Sequence, residues 1–419
     1  MPNYKMFQDN PSALKVLTHG LNGSAAVGIT VDSTGHLLTA PVNLPLTAFG
    51  DERVATLRAE VGWTFNYNVN SDLVTTTTTG GGSVTTSNSL AVLQTGAATS
   101  SSAAISTLSA LRYSPGLGAL VRMTAVFTTG VTGSSQLIGV GDSQDGFFFG
   151  YVGATFGVLR RVNGTDDFIP QSSWNRDKFD GTGSSGVVLD PTKGNVYTIQ
   201  YQWLGFGNIN FFIESPQGIS ILAHRIEYPN NNVSPSILNP TLPLTAQVAN
   251  TTNNTNMTLQ TSSAMGLIEG DVGQALTTRN SAQGSSTSVL TEGAILTILN
   301  KTTFQGKTNR VRILVDFVSV SSDGTQPVKV RLVKNATLGG TPSFTDVSTN
   351  TSVVAFDTAG TTVTGGKTVL SFQLQRTDSV HLFVESLNMT LNPGETLTIA
   401  ASSTAPAIVN ASISWAEFF

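Results

Sequence analysis

The chain contains no cysteine. That excludes disulfides, thiol catalysis and cysteine-bound metals, and it leaves no redox compartment to read. Charge is scarce too. Asp, Glu, Lys and Arg make up 11% of the 419 residues, where soluble domains usually carry about a quarter. The net charge of −4, with no clustered Lys or Arg, lacks the basic footprint of a nucleic-acid binder. The histidines, His19, His36, His224 and His381, are scattered, and none stands at metal-ligand spacing from another ligand. His224 sits beside Arg225, which disfavours its charged form. No run approaches the ~18 consecutive apolar residues of a membrane helix. Residues 1–20 are broken by Lys5, Asp9, Asn10, Pro11 and Lys15, so no signal-peptide core is expected.

Thr, Ser, Asn and Gly take the place of the missing charge, with 41 Gly in all. This composition suits short strands and tight turns. It also gives a neutral, hydroxyl-rich surface that can pack against copies of itself without burying unpaired charges. Alternation is clearest in Tyr197, Ile199, Tyr201 and Trp203, set against Thr198, Gln200 and Gln202. Ile209, Phe211 and Ile213 repeat it after the turn at residues 205–207. Helical periodicity is weak everywhere, and its best stretch is residues 48–60.

These patterns predict an all-β chain of two β-sandwich, jelly-roll-like domains preceded by an extended N-terminal arm. The arm is residues 1–60, with a hairpin over 25–32 and 36–39. The first, lectin-like sandwich is residues 61–235. Residues 236–288, broken by Pro240 and Pro243, read as a linker with room for strands over 242–250 and 257–261. Residues 289–419 form the C-terminal sandwich, assigned to oligomerisation. Thr75 to Thr79 with Gly80-Gly81-Gly82 reads as a mobile loop.

No nucleophile elbow, phosphate loop or dinucleotide fingerprint occurs, and sparse carboxylates offer no obvious acid pair. No enzyme activity and no cofactor is expected. Asp142 and Asp145, in one loop, are weak candidates for Ca²⁺ or a sugar; an Asp-rich turn bonded to nearby backbone N–H groups is the plainer reading. Phe147, Phe148 and Phe149 are consecutive, so a strand must aim them at both of its faces. They are read as a covered or subunit-contact surface, or less readily as a carbohydrate platform. Trp415, Phe418 and Phe419, at an apolar chain end, are the remaining interface candidates. Sequons are frequent, as expected by chance in so Asn- and Thr-rich a chain.

Three stretches carry a resemblance. They are Gly139-Val140-Gly141-Asp142-Ser143-Gln144-Asp145-Gly146-Phe147-Phe148-Phe149-Gly150-Tyr151; Tyr201-Gln202-Trp203-Leu204-Gly205-Phe206-Gly207 with His224-Arg225-Ile226-Glu227-Tyr228 and Asn239-Pro240-Thr241-Leu242-Pro243-Leu244; and Leu391-Asn392-Pro393-Gly394-Glu395-Thr396-Leu397-Thr398-Ile399-Ala400, ending in Ser414-Trp415. Together they resemble virion surface proteins of tailed phages and large double-stranded DNA viruses, of the spike, fibre or decoration kind. The resemblance implies a non-enzymatic structural protein located on the virion and a homo-oligomer, with a trimer favoured. It also implies attachment to other capsid or tail proteins through the arm, and contact with a host surface glycan. A carbohydrate-binding lectin-like module is the alternative, and a polysaccharide-degrading enzyme a more distant one.

Overall fold

The computed structural model describes residues 55–270, 276–286 and 288–419, together with the backbone of two short strands nearer the N-terminus. The chain divides into two compact units, Met1–Ala55 and Thr56–Phe419. In the first, strand His19–Asn22 pairs antiparallel with Ala25–Gly28. The rest of the expected arm, and the hairpin return at 36–39, lie outside the described residues. So do residues 48–54 of the stretch with the best helical periodicity, while its last residues begin a strand, Leu57–Thr64.

The second unit is all-β, with two single turns of 3-10 helix and no α-helix among the described residues. It holds two sandwiches. In the first, one sheet runs Thr165–Pro170, Thr155–Val162, Gly146–Val152, Ser134–Gly141, Leu244–Asn250, Ser101–Thr107 and Val74–Thr79. The facing sheet runs Ser220–Ile226, Ile209–Glu214, Asn195–Tyr201, Gly118–Phe127, Thr258–Thr261, Leu90–Gln94 and Ser83–Ser87, with Ser263–Glu269 and Leu57–Thr64 continuing beside Gly118–Phe127. Alternation works as expected here: Tyr197, Ile199, Tyr201, Ile209, Phe211 and Ile213 are all buried in the shared core. Trp203 lies just past the end of its strand, only partly buried.

Residues 236–288 are not a linker. Leu244–Asn250 is a central strand, hydrogen-bonded on both sides. Ser263–Glu269 is likewise paired on both edges. The prolines stop just short of the first of these strands, and Pro243 uses its carbonyl to accept Gly141 N–H (2.8 Å). The polar stretch that follows is folded inward. Asn250 is 2% exposed; its amide donates to Thr95 Oγ1 (3.0 Å) and Thr255 O (2.9 Å) and accepts from Asn253 Nδ2 (2.8 Å). Buried amides are tolerated when every group finds a partner, and composition does not reveal that. Nor is the threonine run a loop. Val74–Thr79 is an edge strand paired with Ser101–Thr107, as the β-branched side chains favour.

In the second sandwich, one sheet runs Thr277–Ser286, Val409–Phe418, Arg312–Ser322 and Asp378–Phe383. The other is built on Gly293–Asn300, Thr396–Ser403, Val328–Lys334 and Lys367–Leu374. Thr277–Ser286, expected in the linker, pairs along its whole length with Val409–Phe418. Ile298, Val318, Val320, Leu332, Ile399, Ile413 and Trp415 are among the core residues between the sheets. A buried carboxylate pins the last strand. Glu417, 0% exposed, accepts from Trp415 Nε1 (2.9 Å), Asn280 Nδ2 (2.8 Å), Ser352 Oγ (2.6 Å) and Val353 N–H (2.9 Å).

The two sandwiches are tied together by side-chain contacts. Asp142 pairs with Arg310, and Asp72 with Lys367. Ser109 Oγ donates to Asn392 Oδ1 (2.7 Å).

Candidate functional site

Asp142 and Asp145 both have partners within the protein. Asp142 Oδ1 accepts the Gln144 and Asp145 N–H groups (2.8 and 3.1 Å), closing the turn between two strands. Its Oδ2 faces the Arg310 guanidinium of the other sandwich. Asp145 is 3% exposed and accepts Leu238 N–H (2.9 Å). Asp142 thus bonds its own turn, as an Asp-rich turn would, and also reaches the other sandwich, while Asp145 bonds a distant segment. No cluster of three or more metal-ligating side chains occurs among the described residues.

The aromatic interface candidates need correction. Phe147 and Phe149 point into the first sandwich, fully buried. Phe148 points out, as alternation demands, yet it too is 0% exposed. It packs with Leu137, Leu159 and Phe168 in a small outer cluster, and the Arg161 guanidinium lies 5.4 Å from its ring centre. The sheet makes room beneath it: a Cβ on Gly141 or Gly146 would meet the Phe148 ring at 2.7 Å. Trp415 is a core residue of the second sandwich. Phe418 is half-buried under Arg112, 4.8 Å from its ring centre. Of the terminal aromatics, Phe419 is the one with substantial surface, at 37%.

Among the histidines, His224 is 6% exposed. Its Nδ1 accepts Asn175 N–H (3.3 Å). Burial holds its pKa below the usual imidazole value, and nearby Arg176 adds to the effect. It is a neutral structural residue.

The surface best built to recognise something is the open face of the second sandwich. Strand register lays its outward side chains in rows. One row reads Gln283, Ser412, Ser319, His381. A second reads Ser285, Asn410, Ser321, Ser379, and a third Ser281, Ser414, Phe317, Phe383. With strands about 4.8 Å apart and same-face residues about 6.8 Å apart, the grid spans roughly 14 Å each way. It carries hydroxyls and amides and no carboxylate, Lys or Arg. One corner is aromatic. Phe317 stacks on His381 (6.3 Å between centres, 7° between planes) and contacts Phe383 at 5.2 Å. Ser319 Oγ and His381 Nδ1 are hydrogen-bonded at 2.8 Å. Phe383 is 85% exposed. A trough of about 530 Å³ is lined by Gln283, Ser285, Ser319, Asn410 and Ser412 of the grid together with Phe356 and Thr358.

Sequence reading missed Phe317, His381 and Phe383. Simple alternation from Ile313 and Val315 turns Phe317 inward. A bulge between Val315 and Phe317 shifts the register, so Val318 and Val320 take the inner face and Phe317 the outer one. The available signal was in the partner strand, where Leu382 and Phe383 are adjacent and a strand cannot bury both on one side.

No protein-family model matches the chain, and no curated protein does. Solved structures do. The chain is similar to the cellulose-induced protein Cip1, at 13% identity over 49% of this chain and 96% of that one, with a TM-score of 0.34. It is similar to lectin II from Ulex europaeus, at 12% identity over 50% and 99%, TM-score 0.31. A glycosyl hydrolase family 16 protein from Mycobacterium smegmatis matches at 8% identity over 50% and 99%, TM-score 0.31. Each likeness takes in nearly all of the neighbour and about half of this chain. None bears on ligand or activity.

Proposed function

We propose that the protein is a non-enzymatic carbohydrate-binding protein and that the open face of its second sandwich receives a neutral glycan. The observation that carries this is Phe383, a ring 85% exposed at the edge of an uncharged hydroxyl and amide grid. A pyranose presents an apolar C–H face and a rim of hydroxyls. Aromatic rings cover the first, and amides and hydroxyls, each both donor and acceptor, pair with the second. The grid has no pair of carboxylates flanking a cleft, so glycoside hydrolysis there lacks its acid and base.

A glycan array followed by titration calorimetry tests the reading. At least one neutral glycan should bind, and Phe383→Ala should weaken it about two- to thirteen-fold, the worth of one aromatic contact. Because the ring is exposed, thermal stability should stay within about 0.5 kcal/mol. An array with no neutral ligand, or an affinity indifferent to Phe383→Ala, sinks the proposal.

The same face supports a second reading. An exposed ring beside an uncharged grid also suits contact with further copies of the chain, in a closed homo-oligomer of the kind the virion resemblance implies. Light scattering separates the two: an oligomer that Phe383→Lys dissociates assigns the face to assembly. The particle-surface location itself rests on the sequence resemblance.

A further inference from the structure

The open face of the first sandwich's larger sheet carries a different kind of site. A row of outward residues crosses it: Phe212, Thr198, Arg122, Met265, Gly62. Beside Arg122 the surface sinks into a cleft of about 470 Å³ whose walls include Leu73, Val196 and Met265. Leu73 is 55% exposed and Met265 40%, so apolar side chains stand open to solvent. At the cleft's edge Gly62 has no side chain to fill the row. A Cβ there would meet Ala264 O at 2.3 Å and Met265 at 3.0 Å.

The polar lining is largely engaged elsewhere. Thr124 Oγ1 is hydrogen-bonded to Ser262 Oγ (2.8 Å), and Thr64 Oγ1 to Asn66 Oδ1 (3.1 Å). Arg122 differs. It is exposed, no carboxylate lines the cleft, and among the described residues its guanidinium has neither ion pair nor hydrogen-bond partner. A cleft with apolar walls and a single free cation is complementary to a ligand with an apolar body and one anionic head.

We infer that this cleft binds an amphipathic anion, a medium-length alkyl carboxylate being the simplest member of the class, with its head on Arg122 and its chain against Leu73, Val196 and Met265. This site is independent of the glycan face.

Calorimetric titration with decanoate, below its micelle concentration, tests the assignment on the full chain. Decanoate should bind at one site. Arg122→Gln should weaken it at least tenfold, Met265→Ala several-fold, and uncharged 1-decanol should bind at least tenfold more weakly than decanoate. Phe383→Ala should leave decanoate binding unchanged. Arg122 and Met265 project from the sheet surface, and unchanged circular dichroism and melting temperature would show that their variants fold. No saturable heat with decanoate overturns the inference. So does equal binding by Arg122→Gln, or decanol binding as tightly as decanoate.

Discussion

Replacing Asp142 with alanine distinguishes a clamp from a ligand site. The carboxylate has two structural tasks. Oδ1 closes its own turn by accepting two backbone N–H groups, a cap-like role worth about 1 kcal/mol. Oδ2 neutralises Arg310, whose side chain is only 8% exposed while that of Asp142 is 26% exposed. Without Asp142, Arg310 keeps two long contacts, to Asn239 O and Thr241 O at 3.4 Å. Breaking a buried pair from one side costs about 3–5 kcal/mol, and the partial exposure of Asp142 lowers this to roughly 1–3. The total for Asp142→Ala is then about 2–4 kcal/mol. Arg310→Met leaves no stranded cation and should cost less. In the double variant much of the Asp142→Ala loss should disappear, a coupling of about 1–3 kcal/mol between residues in contact. Urea denaturation of the four proteins measures this directly. A single-variant loss under about 0.5 kcal/mol refutes the clamp. So does Ca²⁺ raising the melting temperature of the parent chain but not of Asp142→Ala.

Other expectations can be checked with the same denaturation assay. Phe148→Ala should cost about 3–5 kcal/mol, because the ring is fully buried on the outer face; a loss near 1 would mean that its outer cluster is not held in solution. Tyr201 is 2% exposed, its hydroxyl without a partner among the described residues, and burial pushes its pKa up. Tyr201→Phe should therefore stabilise the chain by about 1 kcal/mol or more, and a destabilised variant would show that the hydroxyl is bonded. His224 has a depressed folded pKa, so the unfolded chain takes up its proton first. The stability it permits is complete above its ordinary value of 6.5 and falls below it, with a slope of up to about 1.4 kcal/mol per pH unit. That acid-side slope should flatten in His224→Phe.

The strand content was legible because it depends on local alternation, and Tyr197 to Tyr201 shows the pattern cleanly. What was not legible depended on partners distant in sequence. Asn250 looks like loop chemistry until Thr95, 155 positions away, accepts its amide. Phe148 reads as a sticky surface residue until Leu137, Leu159 and Phe168 close over it. Phe317 was hidden by a single extra residue in its strand, since a one-residue shift exchanges the two faces of a sheet. The aromatic corner was therefore out of reach, while Asp142 and Asp145, conspicuous in sequence, bond to backbone and to Arg310.

The first sandwich is closed by its own ends. Leu57–Thr64, its opening strand, lies against Ser263–Glu269, its last, and Leu244–Asn250 fills the middle of the opposite sheet. A nascent chain therefore cannot complete this domain until residue 269 has left the ribosome. Pairing across such separations is slow, because long loops must close before their contacts repay them. Fragments ending near residue 235 would leave both sheets with unpaired strand edges, a template for aggregation.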